Sequence, residues 1–164
     1  METQGINLFI VDDNRLMVTD LKHFLKNKFG VSLLISTFTD GESCLKSVSK
    51  DTHIVILDYF MEGKNGLETL KEIKAINPKT EVIMLSRNED IALAIESFQA
   101  GAKDYVIKGN TSWNKITKLV NTIITEPIRM MVKEFGISKY MAIFLLTFVT
   151  MGVLVGCVLY SMKK

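Results

Sequence analysis

Up to residue Ile124, short apolar runs alternate with stretches whose apolar residues recur every three to four positions. Runs bounded by turn residues read as strands buried on both faces, and the wider spacing reads as amphipathic helix. INLFIV (Ile6 to Val11), VSLLISTF (Val31 to Phe38), Ile54 to Leu57, EVIML (Glu81 to Leu85) and Lys103 to Ile107 fit the first pattern. Between them, Asn14 to Phe29 sets Met17, Leu21, Phe24 and Leu25 at helical spacing, and ESCLKSVS makes a short helix capped by Asp40. Leu67 to Ile76 is a helix closed by Asn77-Pro78, and Ile91 to Ala100 one ended by Gly101. Ser112 to Ile124 carries Trp113, Ile116, Leu119, Val120 and Ile123 on one face, and Glu126-Pro127 is expected to end it. Strand and helix in strict alternation predict an α/β fold, a five-stranded parallel, doubly wound sheet with helices on both faces.

The pattern then changes. From Tyr140 to Met162 the chain reads YMAIFLLTFVTMGVLVGCVLYSM, with no charged residue. As a helix, about 23 residues span roughly 34 Å, enough for a bilayer core. A buried core helix is the plainer alternative. Tyr140 and Tyr160 sit where interfacial aromatics would, and Lys139, Lys163 and Lys164 flank the run, so the expectation is a single C-terminal transmembrane helix. Three parts follow: a domain over 1–125, a linker helix over 126–139 that suits a spacer or a membrane surface, and a span over 140–162. Gly152 and Gly156 have the spacing of a close-packing helix pair, which points to a homodimer or a membrane-protein partner.

Composition narrows the functions. Lys and Arg number 20 against 18 Asp and Glu, a net charge of +2, too little for a nucleic-acid footprint. Zinc-type Cys/His spacing is absent, and Cys44 and Cys157 stand far apart, as in a reducing compartment. The N-terminus METQGINLFIVDD has no basic, apolar leader, so the N-terminal domain is expected in the cytosol.

In parallel sheets, sites form at the carboxyl ends of strands. The first strand ends at Asp12 and Asp13, the third at Asp58, the fourth at Ser86, and the fifth runs through Tyr105 to Lys108. Singly, each is an ordinary cap, turn or surface residue. Together they converge on one sheet edge. Carboxylates brought together repel unless cations compensate, and Lys108 supplies only part of that charge. A hard divalent ion with oxygen ligands, Mg2+, suits the rest. A carboxylate beside Mg2+ and Lys is a competent nucleophile toward phosphorus, although a Mg2+-dependent hydrolase would use similar parts.

These residues, with Gly66 and the run AGAKDYVIKG (Ala100 to Gly109), make the stretch from Gly5 to Thr125 resemble the receiver domain of two-component response regulators. The resemblance implies a flavodoxin-like fold and a signalling phosphoacceptor rather than an enzyme. Asp58 would accept a phosphoryl group from a sensor histidine kinase or phosphotransfer protein. Asp13, Asp58 and the Phe60 carbonyl would ligate Mg2+, with Asp12 acting through water. Ser86 and Lys108 would each engage a phosphoryl oxygen, and movement of Ser86 would let Tyr105 turn inward and reshape the fourth helix, fifth strand and fifth helix. Glu62 stands where the family usually has Pro, Gly109 where Pro usually follows the lysine, and Arg87 where a small side chain is common. Phe60 and Asn88 border the path of attacking water, and Phe60 is expected to lengthen the phosphorylated state.

With an anchor in place of an output domain, the expectation is a single-pass protein of the cytoplasmic membrane, its receiver facing the ATP-containing cytosol, that docks a partner and no nucleic acid. A phosphate sink or relay intermediate is the alternative, and an unphosphorylated receiver-like scaffold a third.

Overall fold

The computed structural model describes residues 5–134, 143–144, 146–152 and 161, without the side chains of 127–134. Five strands, β1 (Ile6–Val11), β2 (Leu33–Phe38), β3 (Ile54–Asp58), β4 (Glu81–Ser86) and β5 (Asp104–Ile107), alternate with five helices. These are α1 (Arg15–Phe29), α2 (Gly41–Ser47), α3 (Gly66–Ile76), α4 (Ile91–Gln99) and α5 (Ser112–Glu134). All strand pairs are parallel and their order is β2-β1-β3-β4-β5.

Period-two alternation divides the core into two layers. Phe9, Val11, Val55, Leu57, Val82, Met84 and Tyr105 face Leu70 and Ile73 of α3 and Cys44 of α2. Leu8, Ile10, Ile54, Ile56, Ile83, Leu85 and Val106 face Val18, Leu21 and Leu25 of α1 and Ile116 and Val120 of α5. Every residue of β3 is buried, as a central parallel strand requires. The helices start on side-chain caps: Asn14 accepts from the Leu16 and Met17 N–H groups, Asp40 from Ser43, and Asn65 forms a capping box with Glu68.

Two boundaries depart from expectation. β2 begins at Leu33, because α1 closes on Gly30 at φ 59 and a 3-10 turn over Gly30–Ser32 leaves Val31 in solvent. α5 does not stop at Glu126-Pro127 but continues to Glu134. A proline removes one N–H and crowds one carbonyl, at about 3 kcal/mol. Strong helix formers after it, in RMMVKE, and the buried apolar face before it, Ile116 and Val120, carry the helix across it.

Contacts divide the chain into Met1–Ile124 and Thr125–Lys164. Most of the run from Tyr140 to Met162 lies outside the described residues, as does Gly156. Its described residues, 143–144, 146–152 and 161, are helical. Among the described residues, no helix is long and apolar enough to cross a membrane.

Cys44 is fully buried in the α2/α3 layer, and burial, aided by the Asp40 charge, pushes its thiol up to about 12. A folded-state pKa above the unfolded value makes the buried thiol stabilising at neutral pH, an effect lost as pH rises from the free-thiol range through about 12. Iodoacetamide should therefore modify Cys44 at least about 100-fold more slowly in the native protein than in urea at pH 8. Peptide mapping by mass spectrometry separates this residue from Cys157. Equal rates would show that α2 does not seal the thiol.

Candidate functional site

The sheet order places β1 beside β3 where the chain direction of winding reverses, and a crevice opens there beyond the strand ends. Asp12 follows β1 directly. Its N–H donates to the Phe38 carbonyl at 3.2 Å, and its Oδ1 accepts from the Asn14 N–H at 2.9 Å. Asp58 is the last residue of β3, in register with Leu85, and the Tyr59 N–H donates to the Leu85 carbonyl at 2.8 Å. The strand thus holds its pairing past the carboxylate and fixes it at the sheet edge.

Lys108 joins the two acids. Its backbone N–H donates to the Ser86 carbonyl at 2.7 Å, which continues the β4–β5 ladder past Ile107. Its Nζ lies 2.7 Å from Asp12 Oδ2 and 2.7 Å from Asp58 Oδ2. Asp12 and Asp58 are only 1% and 4% exposed, so this ammonium is the internal countercharge for both. Burial holds the Asp58 carboxyl above its usual range; the Lys108 hydrogen bond opposes that shift, and the Asp12 charge adds to it.

One cation does not balance three carboxylates. Ligand oxygens of Asp12, Asp13 and Asp58 lie within 4.8 Å of one another, with Asp13 exposed at the rim. Asp58 Oδ1 is buried without a hydrogen-bond partner among the described residues. A buried, unpaired carboxylate oxygen in an all-oxygen acidic cluster is the donor set of a hard divalent cation, so the residues fit Mg2+. Phe60 is half exposed, its ring 4.9 Å from that of Tyr59, and with Asp13, Asn14, Asp58 and Arg87 it lines a cavity of about 300 Å³ over the acids.

Ser86, at the end of β4, is fully buried, and its Oγ accepts from the Asn88 N–H at 3.0 Å. Tyr105 is buried in the α2/α3 layer, and its hydroxyl donates to the Asn88 carbonyl at 3.1 Å. The Tyr105 ring thus points inward, toward the turn that follows β4. Asn88, assigned only to the path of water from sequence, is the residue through which Ser86 and Tyr105 are joined. Lys115, unnoticed in the sequence, donates to the Tyr105 carbonyl at 2.9 Å and pairs with Asp104. Only its place on the first turns of α5, beside an acidic strand start, could have signalled this.

The family model described as the response regulator receiver domain matches residues 8–121. The chain belongs to the response regulator receiver domain family. It is 33% identical over 104 residues to the chemotaxis protein CheY of Thermotoga maritima, covering 63% of this chain and 86% of that protein. It is 31% identical over 109 residues to the transcriptional regulatory protein ZraR of Escherichia coli K12, covering 66% of this chain but 24% of ZraR. The chain thus spans about a quarter of that regulator, and 28% of the transcriptional regulatory protein YesN of Bacillus subtilis. Among solved structures, the response regulator TrrA of T. maritima in complex with Mg2+ and BeF has a TM-score of 0.62 at 28% identity over 71% of this chain and 97% of TrrA. The CheX–CheY–BeF3–Mg complex of Borrelia burgdorferi gives 0.65 at 25% identity, over 76% and 98%. Receiver domains are signalling phosphoacceptors that bind Mg2+ at an acidic pocket, and in this receiver the acidic cluster is Asp12, Asp13 and Asp58.

Gly66 seals the floor of the site. Its N–H donates to the Tyr59 carbonyl at 2.9 Å, and a Cβ there would lie 2.1 Å from the Asp58 carbonyl oxygen and 2.8 Å from the Tyr59 Cα. Both obstacles are backbone, so Gly66→Ala must push α3 away from the end of β3. The expected loss is about 1–3 kcal/mol in urea unfolding, with weaker Mg2+ binding. Wild-type stability in this variant would show that the loop yields freely.

Proposed function

We propose that this receiver is a membrane-tethered phosphorylation switch that accepts a phosphoryl group on Asp58 from a phosphohistidine of a sensor kinase or phosphotransfer protein. The observation that carries the reading is the Lys108 ammonium held at 2.7 Å from both Asp12 and Asp58, with the second Asp58 oxygen buried and unpartnered. An oxygen of Asp58 bonds to phosphorus while the P–N bond breaks, and its electron pair returns to the imidazole. Mg2+, when bound by the acidic cluster, neutralises charge on the transferring phosphoryl oxygens. Lys108 exchanges its Asp58 oxygen for a phosphoryl oxygen, and the Ser86 hydroxyl, still free to donate, takes another. Loss of the Asn88 N–H contact as Ser86 moves then reaches Tyr105 through the Asn88 carbonyl.

The output surface is α4 with β5 and α5. α4 is no deep core helix: Ile91, Ile95 and Phe98 are exposed while Leu93 and Ala94 pack inward, and Ile107 of β5 is exposed too. This apolar face supports docking of a protein partner over a pure phosphate sink. ZraR is a transcriptional regulatory protein, whereas the charge balance of this chain favours a protein partner over nucleic acid.

Tethering is supported by the charge-free run Tyr140 to Met162 and by the exposure of Ile143, Phe144, Leu146, Phe148, Val149 and Met151. Dependence on ATP-derived phosphoryl donors favours a receiver that faces the cytosol.

With acetyl phosphate and Mg2+, the chain should acquire one alkali-labile phosphoryl label, lost in Asp58→Asn and formed only slowly without Mg2+. Labelling that survives Asp58→Asn would overturn the phosphoacceptor assignment. In alkaline carbonate extraction the chain should stay with the membrane pellet, and the pair Leu146→Arg with Val149→Arg, each costing about 2.5–3.5 kcal/mol in a span, should release it. Wild-type chain in the supernatant would end the tether.

A further inference from the structure

The residue after Ser86 is an arginine on a pinned stem. The Ser86 carbonyl accepts from the Lys108 N–H, the Ser86 Oγ from the Asn88 N–H, and the Asn88 carbonyl from the Tyr105 hydroxyl. The backbone on either side of Arg87 is thus held by three hydrogen bonds, while its side chain is exposed and has no hydrogen-bond or ion-pair partner among the described residues. Arg87 lines the cavity of about 300 Å³ over Asp13 and Asp58. It also lines a neighbouring cavity of about 550 Å³, walled by Met17, Phe24, Trp113 and Lys108. A permanent cation therefore stands at the junction of the two, over an acidic cluster it does not neutralise.

Charge balance gives it a task. Converting the Asp58 carboxylate to an acyl phosphate adds about one negative charge to the site, since a phosphoryl group carries about −1.5 to −2 at neutral pH. Lys108 is already committed to Asp12, and Ser86 brings no charge. A guanidinium matches two phosphoryl oxygens through paired N–H donors, which an ammonium does not. Resting on the phosphoacceptor reading, we infer that Arg87 binds the phosphoryl group on Asp58 from the open side of the site and prolongs the phosphorylated state. The role is specific to the dianionic, modified site. Before phosphorylation the same positive charge opposes entry of Mg2+.

The test uses the full chain in mild detergent, with beryllofluoride as a noncovalent phosphoryl analogue and emission of Trp113, the single tryptophan, as the signal. Arg87→Met keeps the length of the stem and removes the charge. It should weaken beryllofluoride binding about tenfold and shorten the acyl-phosphate half-life by a similar factor. Arg87→Lys should fall between the two. The gap between wild type and Arg87→Met should narrow from about 0.05 to 0.5 M salt, as screening of a half-open ion pair requires. Titrated alone, Mg2+ should bind Arg87→Met at least as tightly as wild type, an outcome that general damage to the site would not give. Beryllofluoride affinity within twofold of wild type in Arg87→Met, while Asp58→Asn binds none, overturns the role of Arg87 and leaves the phosphoacceptor standing. A loss that is salt-independent and shared by Mg2+ also overturns it. Absence of any Asp58-dependent binding in the wild type overturns both.

Discussion

The site depends on one ammonium group. Lys108 Nζ stands 2.7 Å from carboxylates of Asp12 and Asp58, the first separated from it by 96 positions in the chain. Two buried carboxylates side by side repel strongly in a medium of low effective dielectric, and without a cation one would stay protonated. Lys108 makes a negatively charged cluster tolerable, but it leaves the cluster short of positive charge and one Asp58 oxygen without a partner. That shortfall is the functional property. A site fully neutralised by its own side chains would gain little from a divalent cation.

The fold serves this clamp by carrying strands past their cores. The β3 ladder reaches Asp58 opposite Leu85, and the Lys108 N–H extends the β4–β5 ladder by one more bond to Ser86. Asp12 just after β1 and Asp58 at the end of β3 continue the alternation that sends Ile10 and Ile56 to the α1/α5 layer, and Tyr105 on β5 belongs to the opposite layer. The acids and Tyr105 thus lie on different faces of one sheet. Ser86 and Asn88, in the turn between β4 and α4, are where those faces meet.

Most of the site was legible because its residues obey a rule of position. Apolar runs mark strands, and the first polar residues after them fall at one edge of a parallel sheet. Asp12, Asp13, Asp58, Ser86 and Lys108 were found this way. Less legible were features set by tertiary balance. Val31 has the β-branched character of a strand residue yet lies in solvent, since Gly30 turns the chain first. Pro127 reads as a stop yet lies inside α5, since one lost hydrogen bond is a local cost. The joint between Ser86 and Tyr105 was invisible because it runs through the backbone of Asn88, and backbone groups carry no side-chain signature in a sequence.

That joint sets the scale of the switch. Two hydrogen bonds connect the Ser86 hydroxyl to the Tyr105 hydroxyl, and each contributes about 0.5–1.5 kcal/mol net. Breaking or remaking such bonds shifts a two-state population by about a factor of two to twelve each. Tyr105 lies inward with its hydroxyl on the Asn88 carbonyl and Ser86 bonded to the Asn88 N–H. In the proposed switch, phosphorylation acts as a bias on states of comparable energy, with the exposed Ile91, Ile95 and Phe98 of α4 as the surface that would read it out. A partner that buries this apolar face adds its own differential affinity to the same equilibrium. By linkage, a partner that binds the phosphorylated state more tightly raises the phosphorylated population by the same factor.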